Sequence, residues 1–73
     1  MNPRLPAISG ADVVKVLERA GFSYVGSKGS HAKLRHDDGR TTIVPLHREL
    51  ARGTLRSILR QAGLSPDDLS RLL

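Results

Sequence analysis

The sequence predicts an α+β domain, a two-layer sandwich in which amphipathic helices cover one face of a three-stranded antiparallel sheet. Apolar residues recur at helical spacing near both ends of the chain. Three short β-favouring segments lie between those ends, and glycine-bearing turns separate them. At 73 residues this makes a single domain, 1–73, in the order α-β-β-β-α with a short C-terminal helix.

Residues 1–8 read as an extended lead-in, because Pro3 and Pro6 oppose helix. Ser9 is an N-cap candidate, with Asp12 near the positive end of the helix dipole. Val13, Val16, Leu17 and Ala20 follow at helical spacing, and Gly21 supplies a stop. Phe22 to Gly26 reads as a short strand, and Ser27 to Ser30 as a loop with a flexible glycine. In a second strand, His31 to His36, alternation sends Ala32 and Leu34 to one face and His31, Lys33 and Arg35 to the other. Asp37-Asp38-Gly39-Arg40 is a hairpin signal of the type I′ kind. Thr41 to Val44 makes a third strand, β-branched throughout, which Pro45 ends.

Leu46 to Arg52 is a loop or a turn. Thr54 is a cap candidate for a helix carrying Leu55, Ile58, Leu59 and Ala62, which Gly63 stops. Ser65-Pro66-Asp67-Asp68 opens a last short helix with a cap, a proline at its first position and two acids. Leu69, Leu72 and Leu73 give that helix an apolar side.

The composition narrows the chemistry. Twelve Lys and Arg against seven Asp and Glu give a formal charge of +5, and arginine dominates the basic set. Arginine grips phosphate with two parallel hydrogen bonds and stacks on bases, so a phosphate polymer suits this surface, as would an acidic protein. So small a domain has little room for a deep cofactor pocket, and no cofactor is expected. The chain has no cysteine, which excludes disulfides and thiolate metal sites and permits a cytoplasmic location. No apolar run is long enough to span a membrane, and the first residues lack the apolar stretch of a secretory signal. The three histidines, His31, His36 and His47, lack the spacing of a helical zinc pair, so no metal site is expected.

Gly29-Ser30-His31 is the segment of greatest chemical interest. Gly29 lets backbone approach a ligand, Ser30 is small and offers a hydroxyl, and His31 lies between Lys28 and Lys33. Histidine titrates near neutrality, so it can take a proton from a ribose 2′-OH or give one to a leaving oxygen. Neighbouring cations stabilise charge gathering on a phosphorane. The same residues also suit an ordinary histidine at a strand end. His36 alternates to the opposite face and reads as core-facing or turn-supporting; His47 is a solvated loop histidine or a second acid–base group. Arg52, Arg56 and Arg60 recur every four residues and form one helical stripe, either a solvated basic face or a track for phosphates.

Taken in order, Ser9-Gly10, Ala20-Gly21-Phe22, Gly29-Ser30-His31, His36 to Arg40, Val44-Pro45-Leu46-His47 and Gly53 to Gly63 resemble the HicA family, the toxins of HicA–HicB toxin–antitoxin pairs. The resemblance covers about Ile8 to Leu64. It implies a fold like the double-stranded-RNA-binding domain and a metal-independent endoribonuclease that cuts mRNA and stops translation. It implies that His31 is the catalytic histidine and that a HicB-type antitoxin is the neutralising partner. On this reading Lys28, Gly29, Ser30, Lys33, Arg35, Arg52, Arg56 and Arg60 bind RNA. The alternative is a non-catalytic RNA-binding module on the same fold. A DNA-binding protein is disfavoured, because a three-stranded middle does not make a helix-turn-helix.

Overall fold

The computed structural model describes Leu5 and residues 7–73. The expected lead-in rests on Pro3 and Pro6, which lie outside the described residues. The order is α1 (Gly10–Arg19), β1 (Phe22–Lys28), β2 (His31–His36), β3 (Thr41–Pro45), α2 (Arg52–Ala62) and α3 (Pro66–Leu72). The three strands form one antiparallel sheet in the order β1-β2-β3. Helix α1 packs against all three strands, α2 packs against β3, and α3 packs against α1. One sheet face is thereby covered and the other is left open, as the alternation in β2 predicts.

Helix α1 begins as its sequence indicates. The Ser9 hydroxyl accepts from the Asp12 N–H at 3.1 Å. Its buried stripe is Val13, Val16 and Leu17. Ala32 and Leu34 of β2, Val44 of β3, and Leu55, Ile58, Leu59 and Ala62 of α2 complete the core with Phe22, Leu50 and Leu69. Thr42 is the buried polar residue of this layer, and its hydroxyl donates to Gln61 Oε1 at 2.8 Å.

Gly10, the first residue of α1, is buried against backbone. A Cβ there would lie 2.0 Å from the Pro45 carbonyl oxygen and 2.9 Å from the Leu46 Cα. Its N–H donates to the His47 carbonyl at 2.9 Å, and the Leu50 N–H donates to the Ile8 carbonyl at 2.9 Å. The start of α1 and the segment after β3 are thus laced together main chain to main chain.

Four local expectations need correction. Strand β1 extends through Lys28, because Gly29 and Ser30 form a two-residue turn and Lys28 pairs with His31. Gly29 has φ +59 at the first central position, the pattern of a type II′ turn. The second hairpin is not type I′, which needs positive φ at both central residues. Only Gly39 has it there (φ +96), and the Gly39 N–H bonds to the His36 carbonyl while the His36 N–H bonds to the Arg40 carbonyl. That is a three-residue loop closed by a glycine bulge. Helix α2 starts at Arg52 and not after Thr54; Ala51 is its N-cap residue and makes no side-chain cap. Leu50, buried in the core and bonded to Ile8, sets where the chain can turn into the helix. In α3, Leu69 is buried and Leu72 half-buried, but Leu73 is exposed.

The far hairpin is tied to α2 by Arg40. Its guanidinium donates to the Ala62 carbonyl at the helix C-terminus and from Nε to Asp38, and it sits 5.3 Å above the Phe22 ring. His36 packs edge-on against Phe22 at 5.2 Å, and its Nδ1 accepts from the Asp38 N–H, so this histidine supports the turn.

Two predictions follow from these ties. Gly10→Ala forces backbone apart and should cost about 2 kcal/mol or more, read as a lowered urea midpoint. Gly53→Ala is the control, since a Cβ there meets open space and α2 should lose no stability. The second concerns acid. The Arg40 side chain and backbone N–H hold the Asp38 carboxyl below its ordinary value of 3.8. Ser65, through its backbone and hydroxyl, and then Arg71 do the same for Asp68, within a capping box. Lowered folded values stabilise the fold above 3.8, and this contribution is lost as pH falls through them. A chain carrying Asp38→Asn and Asp68→Asn should therefore lose less stability than the parent between about pH 5 and about pH 2, by urea unfolding at each pH.

Candidate active site on the open sheet face

Strand pairing arranges the open face in three transverse rows. Lys28, His31 and Pro45 form the first, Gly26, Lys33 and Ile43 the second, and Ser23, Arg35 and Thr41 the third. Side chains directly opposite in such rows have Cβ atoms roughly 5 Å apart. His31 therefore has Lys28 beside it across β1, Pro45 beside it across β3, and Lys33 two residues along its own strand. None of the nine residues in these rows is acidic. Like charges brought this close repel one another, and a bound anion relieves that repulsion.

The register of the second row depends on a bulge. Pairing shifts between Tyr24 and Gly26, so Val25 opposes no residue of β2. After the bulge, Gly26 and Lys28 take the open-face positions. Gly26 has φ +149, a conformation that favours glycine, and nothing lies within 4 Å of where its Cβ would be. The result is a concavity of about 720 Å³ lined by Gly26, Ser27, Lys28, Gly29, His31, Lys33 and Ile43.

The sequence-predicted residues fall into two groups. Lys28, Gly29, His31 and Lys33 meet around the concavity. Ser30 belongs to the same turn, but its carbonyl is bonded to the Leu46 N–H at 2.6 Å, which anchors the turn to the end of β3. Arg35 shares the face one row further out. Arg52, Arg56 and Arg60 are exposed on α2, whose buried stripe faces the sheet, so they do not join His31. Arg56 and Arg60 instead flank a smaller hollow of about 200 Å³ with Leu5, Leu59, Leu64 and Pro66. His36 is half-buried on the covered side, and His47 is exposed in the loop after β3. Among the described residues, no three His, Asp or Glu side chains gather as a metal site would require.

Sequence reasoning missed Gly26, Ser27, Ile43 and Pro45 as members of this site. Ile43 was accessible to the alternation argument, since Thr42 and Val44 point inward and Ile43 must point out. Gly26 was not accessible, because its position on this face depends on the bulge.

Residues 10–64 match the family described as the HicA toxin of bacterial toxin–antitoxin. The chain belongs to the HicA toxin family. No curated protein matches the chain. The matched span runs from the glycine that seats α1 to the residue after α2's left-handed Gly63, and so includes the whole sheet and the His31 turn. As a HicA toxin it acts within a toxin–antitoxin pair. Among the described residues, no helix is long and apolar enough to cross a membrane.

Proposed function

We propose that this HicA toxin is a metal-independent endoribonuclease that cleaves mRNA and so inhibits translation, with His31 as its catalytic group. One observation carries the proposal: His31 is exposed on an open, acid-free sheet face, flanked by Lys28 and Lys33 beside a concavity. Imidazole supplies a proton acceptor near neutrality, and the two ammonium groups supply charge where a phosphate would sit.

The nucleophile in this reading is the substrate's own 2′-OH, already tethered beside its target phosphorus. His31 removes the hydroxyl proton and the 2′ oxygen bonds to phosphorus. The bond to the 5′ oxygen breaks, that oxygen takes up a proton from water, and His31 returns its own proton to solvent. The products are a 2′,3′-cyclic phosphate and a 5′-hydroxyl. Lys28 and Lys33 hold the non-bridging oxygens, with Ser30 and Gly29 shaping the turn and Arg35 extending the basic track. Arg52, Arg56 and Arg60 hold a further stretch of the strand. A HicB-type antitoxin silences the toxin by covering the open face and burying His31, across an interface of roughly 1,200–2,000 Å². The proposed setting is the cytoplasm, where mRNA is translated.

The test is cleavage of single-stranded RNA by the purified chain in excess chelator. The parent should yield cyclic-phosphate and 5′-hydroxyl ends, and a 2′-deoxy nucleotide at the cut position should block cutting there. His31→Ala should stay folded, within about 0.5 kcal/mol of the parent, because the side chain is exposed. It should lose cleavage. Full activity in folded His31→Ala removes His31 from the chemistry, and cutting of the deoxy substrate makes water the nucleophile. Binding without cleavage by the parent would leave only an RNA-binding module.

The arginine stripe has its own readout. Replacing Arg52, Arg56 and Arg60 by Ala should weaken RNA binding and reduce the slope of log affinity against log salt by up to ~0.7 per lost contact. An unchanged slope identifies the stripe as a solvated helix face.

A further inference from the structure

The concavity beside His31 has a floor that phosphate chemistry does not explain. Ile43 is 45% exposed at its edge, on a sheet face whose other apolar side chain is Pro45, beside His31 in the next row. Gly26, at the other end of the same row, leaves an open notch where every other residue type would place a Cβ. Between them lies Lys33, an exposed side chain that carries its ammonium on an apolar aliphatic stem. The row thus offers an aliphatic surface with a gap on one side and cations above it. Neither aromatic residue is on this face. Phe22 is buried in the core, and Tyr24 pairs with Leu34 on the covered side of the sheet.

We infer that this row is a base subsite: it takes one unpaired nucleobase of a single-stranded nucleic acid, laid against Ile43 and the Lys33 stem over the Gly26 notch. The inference rests on the ribonuclease reading of the same face and names the form of its substrate. A nucleotide strand alternates flat apolar bases with anionic phosphates. The face alternates likewise, with Lys28 and His31 in one row and the aliphatic surface in the next. In a duplex the flat faces of the bases are stacked away, so only an unpaired strand can present one here. Aliphatic contact also explains how a face without aromatic platforms can hold a base. It gives a modest preference, below that of aromatic stacking.

The test compares two short strands on the intact chain by fluorescence anisotropy. One is a 2′-O-methyl oligoadenosine, which has no free 2′-OH and resists cleavage. The other has the same sugars and phosphates with every base removed. Equal charge makes the salt-dependent part of binding common to both. The parent should prefer the strand with bases by about five- to tenfold. Ile43→Ser should bring that ratio close to one with base-free binding unchanged, and Ile43→Leu should retain it. Equal binding of the two strands by the parent overturns the subsite and leaves the floor for another apolar group, such as a side chain of a protein partner. A ratio undiminished in Ile43→Ser also overturns it. Either result leaves the ribonuclease reading intact if RNA is still cut in the parallel assay, whereas failure to bind either strand and to cut RNA ends both. Should Ile43→Ser fail to fold by thermal unfolding, Ile43→Thr, which removes aliphatic surface but keeps the β-branched shape a strand favours, takes its place with the same two outcomes.

Discussion

The contact between Gly10 and the Pro45–Leu46 main chain is the constraint on which the arrangement of this molecule rests. Helix α1 meets the end of β3 with no side chain between them, since a Cβ at Gly10 would lie 2.0 Å from the Pro45 oxygen. Three main-chain hydrogen bonds converge on the segment after β3. Gly10 donates to His47, Leu50 donates to Ile8, and Leu46 donates to Ser30. The first two seat the helix layer on the sheet. The third reaches through to the turn that carries His31, and His31 itself pairs with Pro45. The candidate catalytic residue is therefore held by backbone at both ends of its strand pairing. Its exposed side chain need not take part in holding the fold together, which leaves it available for chemistry.

The opposite end of the sheet is held in another way. There the hairpin from His36 to Arg40 is tied by side chains: Arg40 to Asp38, to the Ala62 carbonyl and over Phe22, with His36 against Phe22 and the Asp38 N–H. Two histidines five residues apart on one strand thus have opposite fates, and strand alternation decides which is which. The covered-side histidine is taken up by packing and a turn, and the open-face histidine remains free. A backbone tie near the site and a side-chain tie far from it also divide sensitivity to pH. The far tie includes the carboxylate of Asp38, held below its ordinary range by Arg40. The near tie has no titratable group in its hydrogen bonds.

Much of the fold was legible because local signals and tertiary packing agree. Ser9 caps α1, Ser65 and Asp68 form a capping box, and Ala32, Leu34, Thr42 and Val44 alternate inward. What was not legible depends on contacts between distant segments. Thr54 looked like a cap, but Leu50's burial and its bond to Ile8 start α2 earlier, at Arg52. Asp38-Gly39 looked like a type I′ turn, but the strand register takes a three-residue loop, and Asp38 uses its side chain to grip Arg40. The site shows the same division. Lys28, Gly29, His31 and Lys33 come from one continuous stretch and were found together. Gly26 and Ile43 reach them only through a bulge and a neighbouring strand. In sequence Gly10 stands out only as part of the Ser9-Gly10 pair; its packing role appears only when Pro45 lies against it.

The charge of the open face favours one kind of occupant over others. Lys28, His31, Lys33 and Arg35 project from one side of a three-stranded sheet with no carboxylate among them. Solvent and salt screen the mutual repulsion of Lys28, Lys33 and Arg35 while the face is bare. When water is displaced, that screening weakens, and each cation must be matched by a negative group or be left poorly solvated. A neutral or basic surface that covered this face would therefore bind against an unfavourable electrostatic term. A phosphate strand or an acidic protein surface would gain from the same term. The proposed substrate and the proposed inhibitor are in this way held to one electrostatic specification, and a surface that satisfied the lysines beside His31 would exclude the strand that His31 is proposed to cut.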